Sequence, residues 1–125
     1  MNATYLIDKN LKTVFLTIAG EVELFDIISP VKKMLEDPMY KPGLNNFTDL
    51  SDARPSITVN IKTIKESVNF LKSVETLIGK CKWAVFTPED YTYTIALIFG
   101  KLFQSDAIDM QVFKDRDKAH KWLEI

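Results

Sequence analysis

The sequence has very little of the residues that build reactive or cross-linked sites. Cys81 is its only cysteine and His120 its only histidine, so an intramolecular disulfide and a metal site built from cysteines are both excluded. Its four glycines are scattered along the chain, which excludes a glycine-rich phosphate-binding loop. No apolar run approaches the roughly 20 residues that cross a bilayer, so we expect no transmembrane segment.

Charge of one sign is also lacking. Sixteen basic residues stand against 17 acidic ones, for a net charge of −1, which gives no electrostatic reason to expect a nucleic-acid partner. The first eight residues, Met1–Asp8, have no basic start followed by an apolar run, and we therefore expect a cytoplasmic protein. A chain of 125 residues is predicted to form a single domain spanning residues 1–125.

The clearest structural signal is a parallel β-α-β unit in the last third of the chain. It consists of a strand at Cys81–Phe86, a helix at Tyr91–Gln104 and a strand around Met110–Phe113. The four residues Thr87–Asp90 indicate the helix start, with threonine as the cap, proline in the first helical position and acids after it. The alternation of aromatic residues and threonine in Tyr91–Ile95 favours a strand instead, but the cap and the segment length favour the helix.

The remaining segments complete an alternating pattern of strands and helices. We predict a hairpin of two strands at Thr4–Asp8 and Thr13–Ala19, with Gly20 ending the second strand. A third strand is predicted at Asn46–Leu50. Two amphipathic helices are expected at Leu24–Glu36 and Ile61–Ile78, and the polar stretch 51–56 is expected to be a loop. Asp115 is predicted to cap a terminal helix after a strand at 109–114.

Two helix boundaries are left open by the sequence. Pro30 lies within the first helical pattern, where it either kinks the helix or restarts it with Ser29 as the N-cap. The second helix begins either at Asn60, a suitable N-cap residue, or at Thr63, which precedes Glu66 with the spacing of a capping box.

This order, β-β-α-β-α-β-α-β-α, and several local motifs resemble SpoIIAA-like proteins of the STAS-type fold. The motifs are Gly20 followed by acids, the run 37–40, and the strand end Phe47–Ala53. Toward the C-terminus they are the short runs Trp83–Phe86 and Phe99–Lys101 and the closing pattern Gln111–Leu123. The resemblance implies a mixed sheet of four or five strands with helices packed on it, a fold shared in outline with CRAL-TRIO lipid-binding domains. The phosphorylation motif Asp-Ser-Ser-Gly of sporulation antagonists has no counterpart at 56–61, so a phosphoserine switch is not expected.

The carboxyl ends of the strands are the expected location of any ligand site. In open α/β sheets, ligands collect outside these ends. The candidate ligand-binding residues there are Ser51, Asp52, Arg54, Thr87, Glu89 and Tyr91. Arg54 is the expected partner for an anion, and the alternative is that all six are turn and cap residues.

Catalytic and metal-binding interpretations are weaker than structural ones at every candidate. His120 lies among charged residues on the last helix, where a solvated structural role is expected, and Cys81 is expected to be a buried, unreactive thiol. Asp49 and Asp52 flank Ser51 and would suit a metal with water, but a turn with side-chain hydrogen bonds is favoured. We therefore predict no catalytic residue, no metal and no cofactor.

The helix at Tyr91–Gln104 has no charged residue from Tyr91 to Gly100, although a surface helix normally shows a polar stripe. Something is therefore expected to cover its outer side: a second copy of the chain with Tyr93 in the interface, an apolar ligand, or the first helix. The predicted function is a non-catalytic STAS-like regulatory or protein-interaction module. The alternative is a carrier or sensor of a small apolar ligand such as a lipid.

Overall fold

The computed structural model describes all 125 residues and contains one mixed sheet of six strands. The strands are β1 (Asn2–Asp8), β2 (Thr13–Val22), β3 (Asn45–Asp49), β4 (Ala53–Pro55), β5 (Cys81–Phe86) and β6 (Ile108–Phe113). Five of them lie in the order β1-β2-β3-β5-β6, and β4 pairs with the end of β2. Only the β1–β2 hairpin is antiparallel, as the short connection between these strands requires.

Five α-helices connect the strands. They are α1 (Ile28–Glu36), which follows a 3₁₀ turn at Leu24–Ile27, α2 (Ile61–Ser73), α3 (Glu75–Ile78), α4 (Asp90–Leu102) and α5 (Arg116–Leu123). Successive residues of each strand point to opposite faces of the sheet. In β5, Trp83 and Val85 enter the larger core beneath α1, α2 and α4, while Ala84 and Phe86 enter a smaller core beneath α5.

The helix predicted at Leu24–Glu36 is present in two parts. The chain makes a 3₁₀ turn and then begins α1 at Ile28, two residues before Pro30. Pro30 therefore falls within the first turn of α1, where the backbone N–H groups have no partner inside the helix and proline costs no hydrogen bond. Of the two alternatives for Pro30, the restart with Ser29 as the N-cap is wrong, because Ile27 occupies that position without a side-chain bond.

The helix predicted at Ile61–Ile78 is also divided, since Val74 separates α2 from α3. Of the two expected starts, the structure has the one at Asn60. The Asn60 side chain accepts a bond of 3.0 Å from the amide of Thr63, and the Thr63 hydroxyl accepts one of 2.9 Å from the amide of Asn60. These two bonds form a reciprocal capping box, which satisfies donors that the first turn leaves free.

The helix in the β-α-β unit is confirmed, and the strand interpretation of Tyr91–Ile95 is rejected. Its cap is not Thr87, however, but Glu89, whose carboxylate accepts bonds from the amides of Tyr91 (3.0 Å) and Thr92 (2.7 Å). Thr87 lies two residues before this cap, and its amide donates to the carbonyl of Phe113, which continues the β5–β6 ladder past the end of β5. Its side chain is fully buried and its hydroxyl caps no amide of α4.

The end of β2 differs most from the sequence-based expectation. Gly20 does not end the strand: with a φ of +90° it lets β2 bend and continue to Val22. Up to Thr17 the strand pairs with β3, and from Gly20 onward it pairs with β4, which lies within the stretch 51–56 expected to be a loop. This three-residue strand raises the count above the expected four or five.

Candidate functional site

An apolar cavity of about 120 Å³ lies on the larger-core face of the sheet, between the strands and helices α1, α2 and α4. Hydrophobic residues make up 17 of the 22 that line it. The 3₁₀ turn contributes Leu24 and Ile27, α2 contributes Phe70, and α4 contributes Ile95 and Phe99. The three helices therefore do not close completely over the sheet, although interiors are normally packed with few voids larger than a water molecule.

The polar side chains in this wall are already hydrogen-bonded within the protein. The hydroxyl of Thr48 accepts from the indole Nε1 of Trp83 at 2.9 Å and donates to Asn46 Oδ1 at 2.6 Å. The hydroxyl of Ser67 donates to the carbonyl of Thr63 at 3.0 Å, and that of Thr92 lies 2.5 Å from Glu89 Oε2. Because these groups are satisfied, the wall presents mainly apolar surface to an occupant.

Arg54 is the single charged residue that lines the cavity, and it is also the only exposed one. It lies in β4, beside the 3₁₀ turn that follows β2, and it takes part in neither of the two salt bridges of the protein. A guanidinium group presents five donors in a planar fork that suits carboxylate and phosphate. The cavity thus combines an apolar interior with one unpaired cation at its solvent-exposed side.

Exposed apolar side chains lie at the same end of the sheet. Phe25 of the 3₁₀ turn is 69% exposed and Ile57 is 98% exposed. Each follows one member of the Val22–Pro55 strand pair by two or three residues, so both extend from the same sheet corner. Ile61, at the start of α2, is also exposed. Exposed apolar side chains that share one corner of a sheet can contribute to an interaction or ligand site.

The six candidate ligand-binding residues do not form one cluster around the cavity. Arg54 lines it, whereas Ser51, Asp52, Thr87, Glu89 and Tyr91 do not. The amide of Ser51 donates to Asp49 Oδ1 at 2.9 Å, as expected of a turn, and the carbonyl of Asp52 accepts from Gly20 at 2.9 Å. The bond between Gly20 and Asp52 holds the start of β4 against β2. The assignment of Ser51 and Asp52 to a ligand site stays a prediction.

The residues after β5 have structural partners as well. The carboxylate of Glu89 caps α4, and the bonds from the side chain and amide of Thr92 and from the amide of Tyr91 keep its pKa below the usual range. Tyr91 is about half exposed on the first turn of α4. The hydroxyl of Thr87 is buried without a hydrogen-bond partner in the protein. Their assignment to a ligand site stays a prediction.

The groups that would suit catalysis are held in unreactive surroundings. Burial raises the pKa of the Cys81 thiol to about 11, so the thiolate is scarce at neutral pH. The His120 ring lies edge-on against Phe47, with centroids 4.7 Å apart, and so has a packing role. No three His, Cys, Asp or Glu side chains are close enough to hold a metal ion, and Asp49 is paired with Arg116 at 2.8 Å.

Helix α4 is only partly covered. Of its 13 residues only Thr92 is fully buried, while the six from Ile95 to Gly100 are all half-buried. Tyr93 is half-buried beneath the ammonium of Lys114, which lies 4.9 Å from the ring centroid. Neither α4 nor any other helix has the length and apolar character needed to cross a membrane.

Sequence reasoning found Arg54 but missed the cavity. A cavity depends on how closely three helices approach one sheet, and a periodic pattern of apolar residues shows only which side of each helix faces inward. The one available signal was the charge-free stretch from Tyr91 to Gly100, which has more apolar surface than a single contact with the sheet can cover.

Comparison with known proteins shows the fold. No family model and no curated protein matches the sequence. Among solved structures, an uncharacterised protein of the DUF3478 family with a SpoIIAA-like fold, from Shewanella loihica PV-4, superposes with a TM-score of 0.61. The two chains are 10% identical, and the match covers 97% of this chain and 93% of the other. The protein therefore has the SpoIIAA-like fold that its motifs resemble.

Proposed function

We propose that this protein is a non-catalytic STAS-like module that binds a small ligand with an apolar body and an anionic end. The observation that supports the proposal is the cavity: an apolar wall with satisfied polar groups, and a single unpaired, exposed cation, Arg54. An apolar body gains free energy by leaving water for such a wall, and an anionic end remains in contact with solvent beside the guanidinium group.

The volume sets the size of the buried part. A dry cavity of roughly 150 Å³ lined by Leu, Ile and Phe is known to bind benzene. At about 120 Å³, this cavity accommodates a short alkyl chain or a comparable group. A longer ligand would extend past the 3₁₀ turn, where Phe25 provides additional apolar surface.

Calorimetric titration with decanoate and with decanol, an uncharged compound of the same chain length, tests both parts of the proposal. Decanoate should bind more tightly than decanol, and Arg54→Gln should remove that difference by weakening decanoate alone. Ala96→Leu places a larger side chain into the cavity wall and should weaken both probes. Lys65→Gln, on the exposed side of α2, serves as the control for Arg54→Gln.

Binding that persists unchanged in Ala96→Leu would reject the cavity as the site. Equal affinity of the unaltered protein for both probes would instead reject the role of Arg54. Mass spectrometry of the protein as purified adds an independent measurement, since a co-purifying molecule with an acidic group and an apolar body is the expected finding.

A second candidate function, a protein-interaction module, is favoured by the exposed Phe25 and Ile57. Exchange of both for serine should remove a bound protein partner while leaving the sheet intact, because neither side chain belongs to a core. The unaltered protein and the double serine variant are each used to capture proteins from an extract of the native cells, and the two captured sets are compared. Identical sets from both versions would rule this surface out.

A further inference from the structure

The strand pair that carries Arg54 also brings a carboxylate beside it. β4 pairs with β2 in parallel, and the register places Glu21 directly opposite Arg54. The pair is fixed by backbone bonds, one of which runs from the amide of Ser56 to the carbonyl of Val22 at 2.8 Å. Neighbouring strands lie about 4.8 Å apart, and residues in register share a face of the sheet, so the side chains of Glu21 and Arg54 leave the sheet next to each other.

Glu21 and Arg54 are neighbours without forming a closed ion pair. Both are exposed, and neither belongs to the two salt bridges of the protein. The guanidinium group of Arg54 therefore keeps its donors free for a ligand. Any anion that it binds has the carboxylate of Glu21 as a neighbour and is repelled by it.

Further acids lie in the two segments that form this corner of the sheet. Segments 20–27 and 52–57, which contain the β2–β4 pair and the 3₁₀ turn, hold four exposed acids and one base, a net charge of −3. The acids are Glu21, Glu23, Asp26 and Asp52. The ammonium of Lys32, on α1, lies 5.9 Å from the centre of the Phe70 ring, at the part of the cavity wall that α2 provides. A second negative charge on a ligand held by Arg54 therefore finds no second cation in these segments.

We propose that Glu21 makes Arg54 selective for a ligand end with a single negative charge, a carboxylate rather than a phosphate dianion. The inference rests on the ligand proposed for the cavity and narrows its class to monocarboxylates with an apolar body. The physical reason is that Coulomb repulsion by a fixed carboxylate is proportional to the charge of the ligand. Glu21 thus opposes a dianion twice as strongly as a monoanion.

Decyl phosphate and its monomethyl ester test the selectivity by calorimetric titration at about pH 8, where the phosphate carries nearly two charges and the ester one. The two probes share the chain length and the tetrahedral end, so they differ chiefly in charge. A lone guanidinium group attracts a dianion more strongly than a monoanion. In the unaltered protein, however, the phosphate should bind no more tightly than the ester.

Glu21→Gln keeps the size of the side chain and removes its charge. It should strengthen binding of the ester about twofold to fourfold, and that of the phosphate about fourfold to 16-fold, because a doubled repulsion squares the factor in affinity. The affinity for decanol should stay the same, since decanol carries no charge. Glu66→Gln removes the same charge at an exposed position of α2 that does not line the cavity, and it is the matched control. Its effect on each affinity should be less than about 1.5-fold, because solvent and salt screen distant charges.

The outcomes separate this inference from the proposed function. If decanoate does not bind the unaltered protein, the ligand proposal fails, and this inference fails with it. If decanoate binds but the phosphate binds more tightly than the ester, the inference alone is wrong. The same conclusion follows if Glu21→Gln leaves both affinities unchanged or raises them by equal factors.

Discussion

On one face of the sheet, helices α1, α2 and α4 cover a cluster of 16 buried residues; on the other, α5 covers a cluster of five. The larger cluster contains the cavity, and the smaller one, built around Phe47, borders none of its wall. The face with more helices is the one that contains the apolar cavity, because three helices must fit one sheet and one another. A single short helix with aromatic partners fills its smaller area more readily.

The largest expected difference between the faces comes from Phe47→Ala. The Phe47 ring lies between those of Phe15 (6.1 Å) and Phe86 (6.2 Å) and against His120 (4.7 Å), so its removal leaves a void bounded by close neighbours. We expect the free energy of unfolding to fall by about 3–5 kcal/mol. Urea denaturation monitored by circular dichroism measures it.

Phe25→Ala is the control for this substitution, because Phe25 is mostly exposed and belongs to neither core. Its effect should lie within about 0.5 kcal/mol of zero. A loss of similar size in both variants would mean that the Phe47 cluster is not the packed element that the structure shows.

The second prediction compares added volume on the two faces. Ala84 is completely buried beneath α5, so Ala84→Leu should destabilise the protein by about 1–3 kcal/mol through overpacking. Ala96 lines the cavity, where the same substitution enters empty space and should cost less than about 0.5 kcal/mol or stabilise the protein. Thermal unfolding of both variants decides: equal losses would contradict the difference in packing between the faces.

The sequence predicts the helices and strands of both faces well, but it predicts poorly how closely the side chains between them pack. The helix-start residues at 87–90 and a length of over ten residues identified α4, because together they outweigh the β-propensity of its alternating Tyr and Thr residues. The cap was misplaced by two residues because threonine and glutamate were both available there. Thr87 instead continues the β5–β6 ladder, which a local pattern does not reveal.

The β4 strand and the cavity were missed for related physical reasons. Three residues are too few to show a strand periodicity, and β4 pairs with β2 only from Gly20 onward, where the backbone of β2 has a φ of +90°. The cavity depends on distances between helices that are far apart in sequence. Of the candidate site, the sequence therefore yielded one position, Arg54, through the rule that ligands gather at the carboxyl ends of strands.

The smallest expected effect concerns the polar border of the smaller core. Arg116 lies over Phe86, with its guanidinium carbon 4.8 Å from the ring centroid, and donates to Asp49 Oδ2 at 2.8 Å. Since the arginine side chain is 47% exposed, screening by solvent limits the stability that its ion pair with Asp49 contributes. Arg116→Gln should therefore lower the free energy of unfolding by about 1 kcal/mol at neutral pH. Arg54→Gln, which breaks no ion pair, is the matched control on the larger face.

The pH dependence of this cost separates the ion pair from the ring contact. Burial alone raises the pKa of Asp49, but hydrogen bonds from Ser51 and Arg116 outweigh it and hold the pKa below its ordinary value of 3.8. A carboxylate with a lowered folded-state pKa contributes stability that is complete above the unfolded-state pKa and is lost as pH falls through the folded-state pKa. The difference between the unaltered protein and Arg116→Gln should therefore be constant above about pH 5 and narrow below it. A cost that stays the same in acid, measured by urea denaturation across that range, would assign all of it to the aromatic contact.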